Sequence, residues 1–184
     1  MADLFLVLIH HPCLDRGGRI VTTAITSLDL HDIARSARTF GVRGVYIAHP
    51  VRELRDFAAR VRDHWFEEPG RRFDSRRREA LELLRIVDDL DQAVADIERL
   101  TGRRPILVYT SAQARDGLSC ERLRERMGAE TSPILLMFGT GFGLAPAVRE
   151  RADLVLNAIE GADGYNHLSV RAAVAIILDR LRWR

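Results

Sequence analysis

Residues 134–144 read ILLMFGTGFGL, an unbroken apolar run that passes directly into three glycines within five residues. A short apolar run without polar alternation is typical of a strand that is buried on both faces of a parallel sheet. The glycines allow the backbone to approach a ligand closely and leave its amide groups accessible. Ligands of parallel α/β sheets bind beyond the carboxyl ends of the strands. We therefore expect a buried strand over Ile134–Phe138 and a ligand-binding loop directly after it.

Five more apolar runs alternate with amphipathic segments along the chain. They lie at Leu4–Ile9, Val45–Ala48, Leu83–Val87, Ile106–Tyr109 and Leu154–Leu156. Apolar residues recur at helical spacing in four further segments, 30–40, 54–65, 90–100 and 170–181. Alternating strands and helices are typical of βαβ units, so we predict an α/β fold with a mostly parallel sheet flanked by helices. Because no internal repeat or linker interrupts the pattern, residues 1–184 are predicted to form a single domain.

Residues that favour helix ends mark the limits of several of these helices. Gly41 and Gly102 are expected to end the first and the third helix, because glycine tolerates the left-handed conformation that follows a helix. Asp88 or Asp89 is expected to begin the third helix, and Ser169 is the expected N-cap of the last.

The composition is that of an ordinary globular protein, with 47% apolar and 29% charged residues among 184. The net charge is only +2, but all 28 basic residues are arginine, which suits contacts to RNA phosphates and bases. Cys13 and Cys120 lie far apart in no metal-like or redox-like spacing, which favours a reduced, cytoplasmic protein. The apolar run Leu4–Ile9 is too short for a signal peptide or a membrane span, so no membrane association is expected.

Two further loops resemble the glycine-rich one in their small residues. The segment 110–113 reads TSAQ and follows one predicted strand, and the segment 159–169 reads IEGADGYNHLS and follows another. Tight turns alone would explain one such loop, but they explain three adjacent loops less well. The glycines at 139, 141 and 143 are spaced G-x-G-x-G, not G-x-G-x-x-G, which argues against a nucleotide-binding oxidoreductase.

Three other patterns allow both a functional and a structural interpretation. His31, Arg35 and Arg38 form a polar stripe that is expected to face away from the apolar side of its helix, as an anion-binding surface or a solvated face. The arginines within Arg71–Arg78 are either a solvated loop and helix start or a phosphate-contacting patch. The segment 10–13, HHPC, does not predict a metal site, because consecutive histidines on a strand point to opposite faces.

Three segments in order carry a family resemblance: DLHDIARSA at 29–37 followed by Gly41-Val42, FGTGFGL at 138–144, and YNHLSV at 165–170. They resemble the three motifs of the SPOUT class of RNA methyltransferases. Over nearly its full length the chain resembles the bacterial family of stand-alone SPOUT domains that some bacteria fuse to a TrmD-type tRNA methyltransferase. The resemblance implies an α/β knot, in which the C-terminal segment threads through a loop as a trefoil. It also implies a homodimer that binds S-adenosylmethionine (SAM) without a metal and methylates RNA, with tRNA as the expected substrate.

The resemblance also assigns residues to roles. It implies a cofactor site in which backbone groups bind the adenine and Leu144, Ile159 and Leu168 pack on its faces. The implied cofactor residues are Thr110, Ser111, Gly139, Thr140, Gly141, Gly143, Leu144, Ile159, Tyr165, Asn166, His167, Leu168 and Ser169.

Arg35 coincides with the motif-one arginine of the ribose-methylating branch of this class. Because a guanidinium is effectively always protonated, Arg35 is expected to orient phosphate or substrate. Asp29 stands where that branch has asparagine, so a ribose and a base remain alternative targets. The candidate bases are His31, Asp29, Asp163 and His167, and the residues expected to be catalytic are Arg35, His31 and Asp29. The alternative function is a SAM-binding or RNA-binding subunit without catalytic activity of its own.

Overall fold

A computed structural model of the chain describes residues 1–67 and 74–182. Its strands are β1 (Leu4–Ile9), β2 (Cys13–Leu14), β3 (Ile20–Val21), β4 (Gly44–Ala48), β5 (Leu84–Val87), β6 (Ile106–Thr110), β7 (Ile134–Gly139) and β8 (Leu154–Leu156). Its helices are α1 (Ser27–Thr39), α2 (Arg52–Asp63), α3 (Ser75–Leu81), α4 (Leu90–Thr101), α5 (Cys120–Ala129), α6 (Pro146–Arg149) and α7 (Val170–Arg182), with one 3₁₀ turn at Ala162–Gly164.

The six predicted strands form one parallel sheet in the order β5-β4-β1-β7-β6-β8. All six residues of β1 are buried, with Leu6 and Leu8 in the core on one face and Phe5, Val7 and Ile9 in the core on the other. Burial on both faces explains why the strand sequences lack polar alternation. The fold class predicted from the sequence is confirmed, with strand bounds that differ by one residue at β4, β5, β6 and β7.

The predicted helix ends also agree with the structure. The Asp89 side chain accepts a hydrogen bond from the Gln92 amide at the start of α4, and Gly102 ends that helix at φ +72°. The Ser169 hydroxyl accepts from the Ala172 amide at 3.3 Å, as an N-cap of α7 does. The second helix is shorter than its apolar pattern, because α2 ends at Asp63 and the following residues form a turn.

Two elements were not anticipated. The β2–β3 ribbon pairs two strands of two residues each, which is too short for any hydrophobic periodicity to appear. Helix α5 presents only two buried apolar side chains, Leu123 and Met127, among charged residues. The helix start that the sequence suggested within Arg71–Arg78 is present: α3 follows its N-cap Asp74 and extends to Leu81. Residues 68–73, which include Arg71 and Arg72, lie outside the described residues.

Within residues 1–67 and 74–182, no helix is both long enough and apolar enough to cross a bilayer.

Candidate functional site

A cavity of about 750 Å³ lies beyond the carboxyl ends of β6, β7 and β8. Its walls are the loop 110–115, the glycine-rich loop 139–144, the loop 157–169 and one side of α7. Such a volume lies within the range of small-molecule sites. All the residues that the family resemblance assigns to the cofactor line this cavity, with the exception of Tyr165. Their part in binding stays a prediction.

Side-chain amides tie two of the walls together. The Asn157 side-chain oxygen accepts a hydrogen bond from the Gly117 backbone amide at 2.8 Å. The Asn157 backbone amide donates to the Leu118 carbonyl, also at 2.8 Å. The Asn166 side chain donates to the Ala112 carbonyl at 2.6 Å. The loops after β6 and β8 therefore form one continuous wall, and Asn166 holds that wall in place.

The glycine-rich loop rests on the β2–β3 ribbon. The Leu14 amide donates to the Gly143 carbonyl at 2.8 Å, and the Phe142 amide donates to the Leu14 carbonyl at 3.0 Å. Gly141 has φ +62°, and a Cβ atom placed there would lie 2.9 Å from the Leu14 oxygen. Glycine is thus required at 141 by the close approach of the ribbon and by the left-handed backbone. The sequence had suggested close approach of a ligand as the reason.

The loop after β8 combines exposed backbone donors with apolar side chains. In the part of the chain that the structure describes, the amides of Ile159, Asn166, His167 and Leu168 donate no hydrogen bond. Leu144, which is buried, also lines the cavity, beside Ile159 and Leu168. Apolar walls with a few free polar groups are what a flat heterocyclic ligand needs.

Tyr165 stands apart from the other implied cofactor residues. It is 72% exposed and does not line the cavity. Its ring packs edge-on against His167, with 5.5 Å between the ring centroids. Tyr165 therefore supports His167 from the outer side.

Several lining residues are absent from the set that the resemblance implies for the cofactor, although some of them lie in the three loops that the sequence singles out. They are Ala112, Gln113, Arg115, Phe138, Phe142, Asn157, Ala158, Gly164, Val170, Ala173 and Ile177. Asn157 is the first polar residue after β8, and a polar residue directly after a buried parallel strand indicates a candidate site residue. Ala173 and Ile177 belong to the apolar stripe of α7, where nothing separates a cavity wall from core packing.

The three residues predicted to be catalytic, Asp29, His31 and Arg35, lie on α1, and none of them lines the cavity of its own chain. Asp29 is 9% exposed and accepts a hydrogen bond from the Thr26 hydroxyl at 2.6 Å. It also forms an ion pair with Arg171, at 3.4 Å from Nε. These contacts tie the carboxylate to the start of α1 and to Arg171, which makes Asp29 a structural anchor for α7.

The sequence predicts that His31 lies on a polar stripe facing away from the apolar side of α1, and the structure does not place it there. It is half-buried and packs edge-on against Trp65, with 5.6 Å between the ring centroids. Burial and the nearby Arg77 guanidinium lower the pKa of His31. Arg35 is exposed, whereas Arg38 pairs with Glu79 at 3.2 Å. The expected surface of three adjacent cationic groups is therefore not formed.

His10 and His49 form a buried pair behind the glycine-rich loop, at the ends of β1 and β4. Both are fully buried, and their ring centroids lie 5.5 Å apart. Burial, with a smaller effect of His49, lowers the pKa of His10 to about 4. His11 is exposed, so the two consecutive histidines do face opposite sides. Because β1 ends at Ile9, both histidines lie just beyond the strand, and the structural interpretation of this segment stays a prediction.

The low pKa of His10 predicts a loss of stability in mild acid. The unfolded chain takes up a proton at this residue below pH 6.5, but the folded chain does so only near pH 4. The free energy of unfolding should therefore fall as the pH drops from 6.5 to 4, by about 3 kcal/mol from this residue. Urea unfolding at several pH values measures the loss, which should shrink in His10→Gln and persist in the exposed control His64→Gln. A His10 NMR titration midpoint near 6.5 would contradict this.

Within the two described ranges, no three His, Cys, Asp or Glu side chains are grouped so that they could hold a metal ion.

Comparison with known proteins gives a matching family model and relatives that align with nearly the whole of this chain. A model described as SAM-dependent RNA methyltransferase matches residues 3–182. A tRNA (guanine-N(1)-)-methyltransferase from Oleidesulfovibrio alaskensis is 41% identical over 179 residues, which cover 97% of this chain and 42% of that protein. An uncharacterized protein from Aquifex aeolicus is 41% identical over 180 residues, covering 97% of this chain and 88% of its own length. The chain thus spans about two fifths of the first relative.

Solved structures show the same fold. The SpoU methyltransferase AviRb from Streptomyces viridochromogenes superposes with a TM-score of 0.61 at 19% identity, covering 97% of this chain and 58% of that one. A structure of that protein has also been solved in complex with the cofactor AdoMet. The SPOUT fold expected from the motifs is confirmed, while the trefoil knot itself stays a prediction.

Proposed function

This chain belongs to the family of SAM-dependent RNA methyltransferases, and we propose that it transfers the methyl group of SAM to tRNA, with the cavity as its cofactor site. The observation that carries the proposal is the position of the cavity. It lies where three loops at the carboxyl ends of adjacent parallel strands meet, which is where α/β sheets bind ligands.

The lining of the cavity fits SAM. Leu144, Ile159 and Leu168 offer apolar surfaces to an adenine ring, and the free amides of the last loop offer hydrogen bonds to its edge. The Thr140 hydroxyl of the glycine-rich loop lines the same cavity and is suited to the ribose or the amino-acid part. When bound, SAM supplies an electrophilic methyl group on a sulfonium centre.

The chain's own residues would then position the two reactants and remove a proton. Holding nucleophile and methyl group in line supplies much of the acceleration in such a transfer. Arg35, exposed on α1, would bind a phosphate or the target nucleotide. Among the four candidate bases, His167 is the one that lines the cavity, so we propose it ahead of His31, Asp29 and Asp163 as the proton acceptor.

The choice of tRNA rests on the Oleidesulfovibrio relative, which is a tRNA (guanine-N(1)-)-methyltransferase. That relative is more than twice as long as this chain, so its activity is carried over here as a proposal. We further propose that residues 1–184 form one knotted domain that works in the cytoplasm as a homodimer. A dimer would also explain how α1, which does not border its own cavity, takes part in the reaction: it would face the cavity of the partner protomer.

Binding and transfer can be tested separately. Calorimetry with chelator present should show one SAM or S-adenosylhomocysteine site per chain, and labelled SAM should then modify unmodified tRNA. No binding at millimolar cofactor would contradict the proposed function. Binding without transfer to any RNA from cells lacking the gene would instead favour a cofactor-binding subunit without catalytic activity. Nucleoside mass spectrometry of the modified RNA would identify the methylated position.

A further inference from the structure

A line of hydroxyl and imidazole groups runs from the cavity wall into the core. Thr140, in the glycine-rich loop, lines the cavity, and its hydroxyl hydrogen-bonds the hydroxyl of Thr23. The Thr23 hydroxyl lies 3.0 Å from Nδ1 of His10, which is fully buried. Segments far apart in the sequence are thus joined directly behind the site proposed for the cofactor.

The buried end of this line determines which atoms donate. Nε2 of His10 is buried and finds no hydrogen-bond partner among residues 1–67 and 74–182. Buried N–H groups without an acceptor are rarer in proteins than under-satisfied acceptors, so the ring proton belongs on Nδ1, where Thr23 can accept it. The Thr23 hydroxyl then donates to Thr140 in preference to its longer contact with the His10 carbonyl, at 3.3 Å.

Thr23 itself is held from the other side by His49. The Val51 amide donates to Nδ1 of His49 at 3.0 Å, so that nitrogen is an acceptor and the proton of His49 is on Nε2. Nε2 in turn donates to the Thr23 carbonyl at 3.0 Å. The backbone and the hydroxyl of Thr23 are therefore each fixed by a buried histidine.

We propose that His10 and Thr23 are positioning residues, which orient the Thr140 hydroxyl as a hydrogen-bond donor to an acceptor atom of the bound cofactor. The inference rests on the proposed function, because it takes the cavity as the SAM site. Because the Thr140 hydroxyl accepts the hydrogen bond from Thr23 with one of its lone pairs, its own proton is free to point elsewhere. Its other neighbour is the Cys13 sulfur at 3.7 Å, a weak acceptor that an oxygen atom of a ligand would replace.

The protonation state of His10 supports this direction. Because burial lowers its pKa to about 4, His10 is neutral under physiological conditions and keeps a single ring proton. A single proton means that only one of its nitrogens can donate. The hydrogen bonds of this line are therefore all donated in the direction from His10 through Thr23 to Thr140 throughout the physiological pH range.

The test compares two neighbouring threonines of the same strand end. Thr23→Val preserves shape but removes the hydroxyl, and S-adenosylhomocysteine should then bind about tenfold more weakly. Thr22→Val is the matched control, since the Thr22 hydroxyl is exposed and, among the residues that the structure describes, bonds only His11, at 3.0 Å. It should bind like the wild type. Equal affinities for wild type and Thr23→Val would overturn the proposal.

A double-mutant cycle separates positioning from general support of the fold. Thr140→Val should lose the same affinity as Thr23→Val, and the double variant should lose no more than either single variant. Additive losses, with a lowered melting temperature, would show that Thr23 is merely structural and would overturn the proposal.

The ring proton of His10 can be located without any ligand. Nitrogen-15 NMR of the free protein should show His10 protonated at Nδ1, and protonation at Nε2 would overturn the proposal. If the wild type shows the Nδ1 form but does not bind S-adenosylhomocysteine, the proposed function has failed and not the geometry of the line.

Discussion

Gly141→Val is expected to abolish cofactor binding while the sheet still folds. A valine side chain strongly disfavours the left-handed backbone at φ +62°, and its Cβ atom would lie 2.9 Å from the Leu14 carbonyl oxygen. The glycine-rich loop must then move off the ribbon, and the wall that it forms moves with it. Calorimetry should show a loss of affinity for S-adenosylhomocysteine on the order of a hundredfold or more, equivalent to roughly 3 kcal/mol.

Two alanine variants separate this local effect from the general strain of a left-handed residue. Gly102 has a similar conformation, φ +72°, at the end of α4, but a Cβ atom there would meet nothing within 4 Å. Gly102→Ala should lower the stability by about 1 kcal/mol and leave cofactor binding unchanged. Gly141→Ala should weaken binding as well. Full affinity in Gly141→Val would show that the ribbon contact does not shape the site.

Arg35→Ala is expected to lose methyl transfer on the order of a hundredfold while its affinity for the cofactor stays within about twofold. Arg35 is exposed on α1 and lies outside the cavity wall, so its loss leaves the cofactor contacts in place. Arg35→Lys should rescue poorly, because an ammonium group cannot reproduce the two-pronged contact of a guanidinium. Arg38→Ala, one turn further along, is the matched control. Equal losses in the two variants would indicate general attraction of RNA instead of substrate orientation.

A mixed dimer tests whether α1 of one protomer completes the cavity of the other. Arg35→Ala and Gly141→Val chains with different tags are co-expressed, after light scattering has established that the wild type is a dimer. If the site is shared, random pairing leaves about a quarter of all sites intact, because half of the dimers are mixed and each mixed dimer contains one undamaged site of its two. If each site is built from one chain, every site remains damaged. A monomer mass, or no recovery in the mixed dimer, would contradict the proposed arrangement.

The sheet could be predicted because each of its strands has a local signature. Leu4–Ile9 and Leu154–Leu156 appear as strands with the same bounds in the sequence and in the structure, since burial on both faces requires a continuous apolar run. The β2–β3 ribbon has no such signature. Its two-residue strands are held by the carbonyl and amide groups of Gly143 and Phe142, which are far away in the sequence. Long-range backbone pairing of this kind leaves no local pattern to find.

The site could be predicted as far as its glycines and loops, but its side-chain roles could not. The sequence does not show that Arg171 returns to pair with Asp29. Likewise nothing near Thr23 indicates that its hydroxyl meets Thr140. His31 was misplaced for a related reason: the helical wheel of α1 cannot show that Trp65 covers that turn. In each case the missing information is a contact between segments that only the folded chain brings together.

The position of β1 between β4 and β7 sets an order of events during synthesis. Leu4 pairs with Ile134, so one edge of the central strand remains open while the intervening chain is still being made. The cavity comes later still, because its walls begin at Thr110 and end at Ile177 on the last helix. With the cavity as the proposed cofactor site, a nascent chain can build half of its sheet early but cannot hold the cofactor until α7 has left the ribosome and docked. SAM can stabilise the finished protein by mass action, and it cannot assist the steps in which the open strand edge is most exposed to aggregation.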